Sequence, residues 1–300
     1  MKNILVDANN MLHRSIGNTE KYLETNPRAT RKLDNKGNDV TALQKFFSDI
    51  YYTTSDYHEP DTEIYLVWDR KIDPEAVNWR TLVNPLYKAN RGSNDTNPQK
   101  KQVHLLCRHA KFIADAYGFH SVFPLCSEGD DLINYLKNTL EGESLIVSSD
   151  HDFFQCISEE CSIYNPQKRK LLTIDNWDEY VPVSKEDYVL WKSIKGDSSD
   201  NIKGLFRYGE KKAKKLVENW DELSPSLTEE QMEIIEETKS LIDLNYKPLS
   251  DKEAYFVEKQ IKPKEKKKDW ELTQVLDNYS ITYKTRELWD NYNTIKELYL

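Results

Sequence analysis

The 300-residue sequence predicts an α/β protein with a central parallel sheet and helices on both faces, followed by a helical C-terminal region. Three observations carry this. Short aliphatic runs alternate with helix-length segments through the first 180 residues, the pattern of a parallel sheet with helical crossovers. Several of these runs lead directly into aspartates, at Asp7, Asp69 and Asp150, and the carboxyl ends of such strands open into the ligand crevice. From about Ser184 the apolar spacing is helical, with no convincing strand. The expected division is an α/β core over 1–180 and a helical region over 181–300.

Residues 3–6 are a β-branched and aliphatic run ending at Asp7, read as a buried strand, with Asp7-Ala8-Asn9-Asn10 as the turn after it. Residues 17–38, with Gly17, Asn26-Pro27 and Gly37, read as an irregular excursion. A helix starting near Asp39 carries Leu43, Phe46, Phe47 and Ile50 on one face. Ile64 to Trp68 is a second strand. A helix over about 99–117 stops at Gly118, and His120 to Phe123 is a third strand. Ser127 is suited to cap a helix over about 129–140. Residues 144–149 are a fourth strand, and 171–174 a last short one after the basic turn Lys168-Arg169-Lys170.

The composition is that of a folded chain: 38% hydrophobic and 31% charged, with 18 Tyr, 9 Phe and 7 Trp. With no 18-residue apolar stretch and too short an N-terminal run for a signal peptide, a cytoplasmic protein without membrane association is expected. Cys107, Cys126, Cys156 and Cys161 form no CxxC pair, which argues for reduced, mostly buried thiols. A net charge of −9 by itself argues against a nucleic-acid partner, but where the charge sits matters more than its sum.

That distribution is uneven. Glu128, Asp130, Asp131, Asp150 and Asp152 bunch at two chain turnings one helix and one strand apart, and Asp7, Asp69, Asp197 and Asp200 sit at comparable edges. Carboxylates crowded together repel and raise one another's pKa. A hard divalent cation with oxygen ligands removes that cost.

The letters around these acids resemble the structure-specific 5′ nucleases: flap endonucleases, the 5′-nuclease domain of bacterial DNA polymerase I, and phage 5′→3′ exonucleases of the ribonuclease H type. The matching pieces are Val6-Asp7, Trp68-Asp69, Tyr87-Lys88-Ala89-Asn90-Arg91, Glu128-Gly129-Asp130-Asp131, Ser149-Asp150-His151-Asp152 and Gly196-Asp197-Ser198-Ser199-Asp200-Asn201-Ile202-Lys203-Gly204, in family order over residues 1 to about 220. The resemblance implies a PIN-like nuclease core. It implies that Asp7, Asp69, Glu128 and Asp130 hold one Mg²⁺, and that Asp131, Asp150, Asp152, Asp197 and Asp200 surround a second, some through water. Two such ions roughly 4 Å apart activate water and stabilise the leaving oxygen in phosphodiester hydrolysis; Mn²⁺ can substitute. Lys88 and Arg91 would clamp the scissile phosphate. Tyr87 is read either as a base-stacking contact or as core. The region 84–105 corresponds to the family's arch for a single-stranded 5′ end, and Asn90 to Pro98 suits a mobile gate.

Gly204 to Lys215 resembles the family's helix-hairpin DNA-binding motif, with Gly204, Gly209, Lys211, Lys212, Lys214 and Lys215 as duplex contacts. Two departures stand out. Gly129 replaces a common Ala. Arg207 replaces a usual Gly, and Arg does not readily adopt φ > 0, so the turn, and a K⁺ ion bound there, are expected to differ. The implied substrates are branched or 5′-ended duplex DNA and RNA–DNA hybrid, in primer removal during replication or repair. A sliding clamp or single-strand-binding protein is the implied kind of protein partner, and a monomer is expected. The Lys259–Lys268 run reads as a solvated linker, and Lys296–Leu300 as the end of a packed helix. Two alternatives stay open: a PIN-like ribonuclease, and a non-catalytic protein that binds branched DNA.

Overall fold

The computed structural model describes residues 1–59, 61–73, 75–91, 98–262, 269–279 and 281. Residues 92–97 of the expected arch, 263–268 of the lysine run and the C-terminal 296–300 lie outside the described residues.

The elements run β1 (Asn3–Asp7), α1 (Ala8–Thr25), α2 (Thr41–Thr54), β2 (Glu63–Val67), α3 (Trp79–Val83), α4 (Pro98–Tyr117), β3 (His120–Val122), α5 (Gly129–Thr139), β4 (Ser144–Val147), β5 (Cys161–Asn165) and β6 (Lys170–Leu172). They continue with α6 (Tyr188–Lys195), β7 (Gly196–Asp197), β8 (Ile202–Lys203), α7 (Glu210–Glu218), α8 (Trp220–Leu223), α9 (Glu229–Ile242), α10 (Asp251–Gln260) and α11 (Asp269–Asn278). The main sheet has the order β3-β2-β1-β4-β5-β6, parallel except for β6, which pairs antiparallel with β5.

Alternation along the strands builds two cores. Ile4, Val6, Ile64, Leu66, Leu145 and Val147 face one way and pack with Met11, Leu12, Phe46, Phe47, Leu106 and Ala110 of α1, α2 and α4. Leu5, Tyr65, Val67, Ile146 and Ile163 face the other way, toward Leu132 and Ile133 of α5 and Tyr188 and Ile194 of α6. Each fully buried aliphatic or aromatic side chain contributes about 1.5–3 kcal/mol of transfer free energy. The second core also takes in Ile235 of α9 and Val257 of α10, so apolar packing crosses residue 180.

Four local features differ from the sequence reading. Residues 8–25 form a helix rather than a turn and loop, because Met11, Leu12, Ser15, Ile16 and Thr19 make one buried stripe among polar letters and Gly17. β5 (Cys161–Asn165) is a strand that the sequence reading did not predict; it ends at Asn165, whose Oδ1 accepts from the N–H of Gln167 (3.0 Å) and Lys168 (2.9 Å). Glu128, not Ser127, caps α5, in a reciprocal box with Asp131. The helical half contains the two-residue hairpin β7–β8.

Candidate active site

Register brings the acids together. Asp7 stands opposite Val67, and Val6 opposite Val147. The carboxyl ends of β2, β1 and β4 therefore lie side by side, and Asp69 and Asp150 follow just beyond them on either flank of Asp7. Asp7, Asp69, Asp130, Asp150 and Asp200 line a cleft of about 800 Å³, with Lys88 and Arg91 on its wall.

Three of these acids are aimed by a local contact. Asp7 caps α1, accepting from the N–H of Asn10 (3.0 Å) and the hydroxyl of Ser148 (2.8 Å). Asp69 accepts from the N–H of Gly129 (2.9 Å). A Cβ added at Gly129 would sit 3.4 Å from Asp69, an ordinary contact, so the alanine common at this place would also fit. Asp150 accepts from the N–H of Asp152 (2.9 Å). Oxygens of Asp130, Asp150 and Asp152 all lie within 4.8 Å of one another. Loss of water in the cleft pushes the Asp7 carboxyl up to about 7, and the neighbouring Asp150 and Asp69 charges add to this. Asp130 is pushed well above the ordinary value for the same reason, against the pull of Lys88.

Glu128 is in the opposite state. Burial works against its charge, but Lys88 and Arg80 beside it hold the carboxyl below its usual value. Lys88 Nζ donates to Glu128 at 2.8 Å and lies 3.5 Å from Asp200, whose other oxygen meets Arg91. Tyr87 is buried, packed with Ile202, Leu241 and Ile242. It is 6% exposed, and its hydroxyl lies 2.8 Å from Glu128 and 3.1 Å from Asp200.

Asp131 does not join the cleft carboxylates. Arg80 donates to both its oxygens, at 2.7 and 2.9 Å, reaches Glu128 at 3.4 Å and donates Nε–H to Leu241 O at 3.0 Å. Asp152 and Asp197 are bridged by Lys192, which is 4% exposed and lies 2.9 Å from Asp197. Burial opposes the Asp197 charge, yet Lys192 and Ser199 hold its pKa well below the carboxylate range. Arg80, Lys192, Asn10 and Ser148 are site residues that the sequence reading missed. Lys192 did leave a trace: it falls on the apolar face of α6 with Tyr188, Trp191 and Ile194, where a charge requires a partner.

Asp197 and Asp200 are presented by the β7–β8 hairpin, which two glycines make possible. A Cβ on Gly196, which has φ +78°, would fall 2.3 Å from Gly204 N, and one on Gly204 would fall 2.3 Å from Ile194 O. Beyond it, Arg207 adopts φ +65°. Arg207 thus takes a left-handed conformation that arginine was not expected to adopt readily. Gly209 caps α7, on which Lys211, Lys212 and Lys215 are exposed. Lys214 instead donates to Pro182 O and pairs with Glu218 at 2.8 Å.

Residues 2–182 match the family described as 5′-3′ exonuclease, N-terminal resolvase-like domain. A flap endonuclease Xni from Shewanella loihica is 27% identical over 219 residues, 70% of this chain and 81% of that protein. Among solved structures, the T5 D15 protein co-crystallized with metal ions superposes with a TM-score of 0.62 at 17% identity, covering 98% of this chain and 99% of that one. Flap endonuclease-1 from Methanococcus jannaschii gives 0.60 at 14% identity, over 100% and 94%. At these identities the two structures establish likeness of fold. Among the described residues no helix is long and apolar enough to cross a membrane.

Proposed function

The chain belongs to the 5′-3′ exonuclease family, and from that premise we propose that it is a Mg²⁺-dependent 5′ nuclease. It hydrolyses phosphodiesters near the 5′ ends of flaps, branched duplexes and RNA–DNA hybrids, as primer removal in replication or repair requires. One observation carries this reading: Asp7, Asp69, Asp130 and Asp150 share one cleft with Lys88 and Arg91 on its wall. A protein that only bound DNA would gain nothing from repelling phosphate at that place.

The residues fit a hard divalent cation. The donor set is all carboxylate, its oxygens converge within 4.8 Å at Asp130, Asp150 and Asp152, and burial raises Asp7 to about 7 and Asp130 well above its ordinary value, a cost that a bound cation would offset. Asp7, Asp69, Glu128 and Asp130 would hold one ion; Asp150, Asp152, Asp197 and Asp200 would face a second. Asp131 acts through Arg80. When bound, such ions supply activated water and a charge sink for the leaving oxygen. Mn²⁺ is the expected substitute.

The remaining work belongs to the chain itself. Lys88 and Arg91 grip the scissile phosphate, leaving Glu128 and Asp200 as they do so. Asn10, Ser148 and the Gly129 N–H hold the carboxylates in place. Lys211, Lys212 and Lys215, with the backbone of Gly204–Gly209, grip duplex phosphates without reading sequence. The left-handed Arg207 keeps a K⁺ ion at that turn within this proposal.

The test uses a 5′-labelled flap duplex, a blunt duplex and an RNA–DNA hybrid, in Mg²⁺, Mn²⁺ and EDTA. Metal-dependent products are expected from the flap or hybrid, with little from a covalently blocked 5′ end. Asp150→Asn or Asp152→Asn should abolish cleavage and leave DNA binding nearly intact. Normal turnover by either variant, or no cleavage in either metal, overturns the proposal.

A further inference from the structure

Helix α10 opens with Ser250-Asp251-Lys252-Glu253, the letters of a reciprocal capping box. Only half of it forms: the Ser250 side chain accepts from the N–H of Glu253 at 3.3 Å. The Glu253 carboxylate turns to the loop ahead of α5 instead. Its Oε1 accepts from three successive backbone N–H groups, Leu125 (3.0 Å), Cys126 (3.1 Å) and Ser127 (2.9 Å). Its Oε2 accepts from the Ser127 hydroxyl (2.7 Å) and the Cys126 thiol (3.0 Å). The chain can complete such a box: Thr228 and Gln231 do so at α9. Glu253 is 1% exposed. Seven residues on, Gln260 accepts from the N–H of Phe123 and donates to its carbonyl, both at 3.0 Å. Phe123 follows β3, the edge strand, so Gln260 pairs it as a further strand would.

A side chain that abandons its own helix terminus for a distant loop breaks a local rule, and such breaks concentrate where function sets the geometry. A carboxylate that accepts three consecutive N–H groups fixes their direction through strong, charge-assisted bonds. The residues that follow this loop are Glu128 and Asp130. We infer that Glu253, supported by Gln260, is a positioning residue: α10 latches 123–127 and thereby sets where Glu128 and Asp130 stand in the metal site. The inference rests on the metal site proposed above.

Full-length Glu253→Ala, Glu253→Gln and Thr228→Ala test it. The last uncaps α9 and leaves the latch untouched. Ca²⁺ alone is titrated by calorimetry without DNA, and amide hydrogen exchange is followed at 125–128. Glu253→Ala should weaken Ca²⁺ binding about 10–100-fold, as loss of a group that orients metal ligands does. The 125–127 amides should lose protection. On a flap substrate kcat should fall by a similar factor, with KM for DNA little changed. Glu253→Gln keeps a carbonyl oxygen for the three N–H groups and should recover most of each loss. Thr228→Ala should bind Ca²⁺ like the parent. If Glu253→Ala does not fold, Glu253→Asp, one methylene short of the loop, replaces it with the same expectations. Parent-like Ca²⁺ affinity in the Glu253 variant, or an equal loss in Thr228→Ala, overturns the latch. A parent protein that binds no Ca²⁺ and cleaves nothing overturns the metal-site reading itself.

Discussion

Lys88 Nζ lies 2.8 Å from Glu128 Oε1, so the side chain proposed to grip phosphate is already held by a carboxylate of the proposed metal set. Its backbone is committed as well: Lys88 has φ +55° and donates its N–H to Asp200 O at 2.8 Å. A non-glycine residue in that region costs about 1–3 kcal/mol and persists only where its surroundings over-determine it. Burial opposes the ammonium charge, but Glu128, Asp130 and Asp200 keep it protonated above the ordinary lysine range. A phosphate must therefore compete with Glu128 for Nζ, and a cation beside Glu128 tips that competition toward the phosphate.

Lys88→Ala is accordingly expected to lower kcat on a flap substrate about 10²–10³-fold, the usual loss for a group that stabilises developing charge. KM for DNA should move less than about threefold, because the grip strengthens mainly in the transition state. Steady-state kinetics decide this; a rise in KM with kcat preserved would reduce Lys88 to a ground-state contact.

Arg80 joins three parts of the chain: α3, the head of α5 and the end of α9. It is 2% exposed, and its partners Asp131 and Glu128 are buried. Arg80→Met leaves buried Asp131 without its counter-charge and Glu128 with Lys88 alone, a loss of about 3–5 kcal/mol. Arg80→Lys keeps the charge but not the two-oxygen grip or the bond to Leu241 O, and should fall between. Urea midpoints measure the series, and an Arg80→Met midpoint equal to the parent's would refute the role.

How much of this was legible beforehand depends on where each signal lies. Asp7, Asp69 and Asp150 follow apolar runs, so strand ends and site announce themselves together. Arg80 sits among polar or amphipathic letters, and only the packing shows that it is buried; Lys192 shows in the sequence only as a charge on the apolar face of a helix. Glu253 was hidden more thoroughly, because its letters describe a helix cap and local reading accepts that answer. Helix α1 was obscured by Gly17 and by Asn and Thr residues, whose weak propensities were outweighed by one buried stripe.

Asp7 carries a pH signature. Its pKa is raised from 3.8 to about 7, with burial the main cause. Between those values the folded protein keeps a proton that the unfolded chain has lost, so its contribution to stability falls as pH rises through the window. His58, lowered by burial to about 4, pushes the opposite way between that value and 6.5. The raw melting profile therefore mixes both. Comparing Asp7→Asn with the parent cancels the histidine contribution. In EDTA the variant's Tm should gain on the parent's by on the order of 5 °C from pH 5.5 to 8. Mg²⁺ should reverse this at pH 8 by stabilising the parent more. A difference in EDTA that does not change with pH would show that Asp7 ionises normally.

Arg207 offers a test in the other direction. Its side chain is exposed, with the guanidinium 5.0 Å from the Phe206 ring, and its φ of +65° is one that L-residues adopt at a cost of about 1–2 kcal/mol. Glycine removes that cost but adds about 0.5–1 kcal/mol of unfolded-state entropy. Arg207→Gly should therefore stabilise the protein by roughly 0.5–1 kcal/mol, the difference of these two effects. Arg207→Ala has the same Cβ and the same strain, so it should give no gain. The pair separates backbone from side chain: a gain in both would mean that the Arg207 side chain, not its φ, is the unfavourable element. Duplex binding at two salt concentrations completes the argument. If the guanidinium contacts a phosphate, both variants should bind duplex more weakly and show a shallower salt dependence by about one phosphate contact. If only the turn matters, Arg207→Gly should bind at least as well as the parent while Arg207→Ala does not improve.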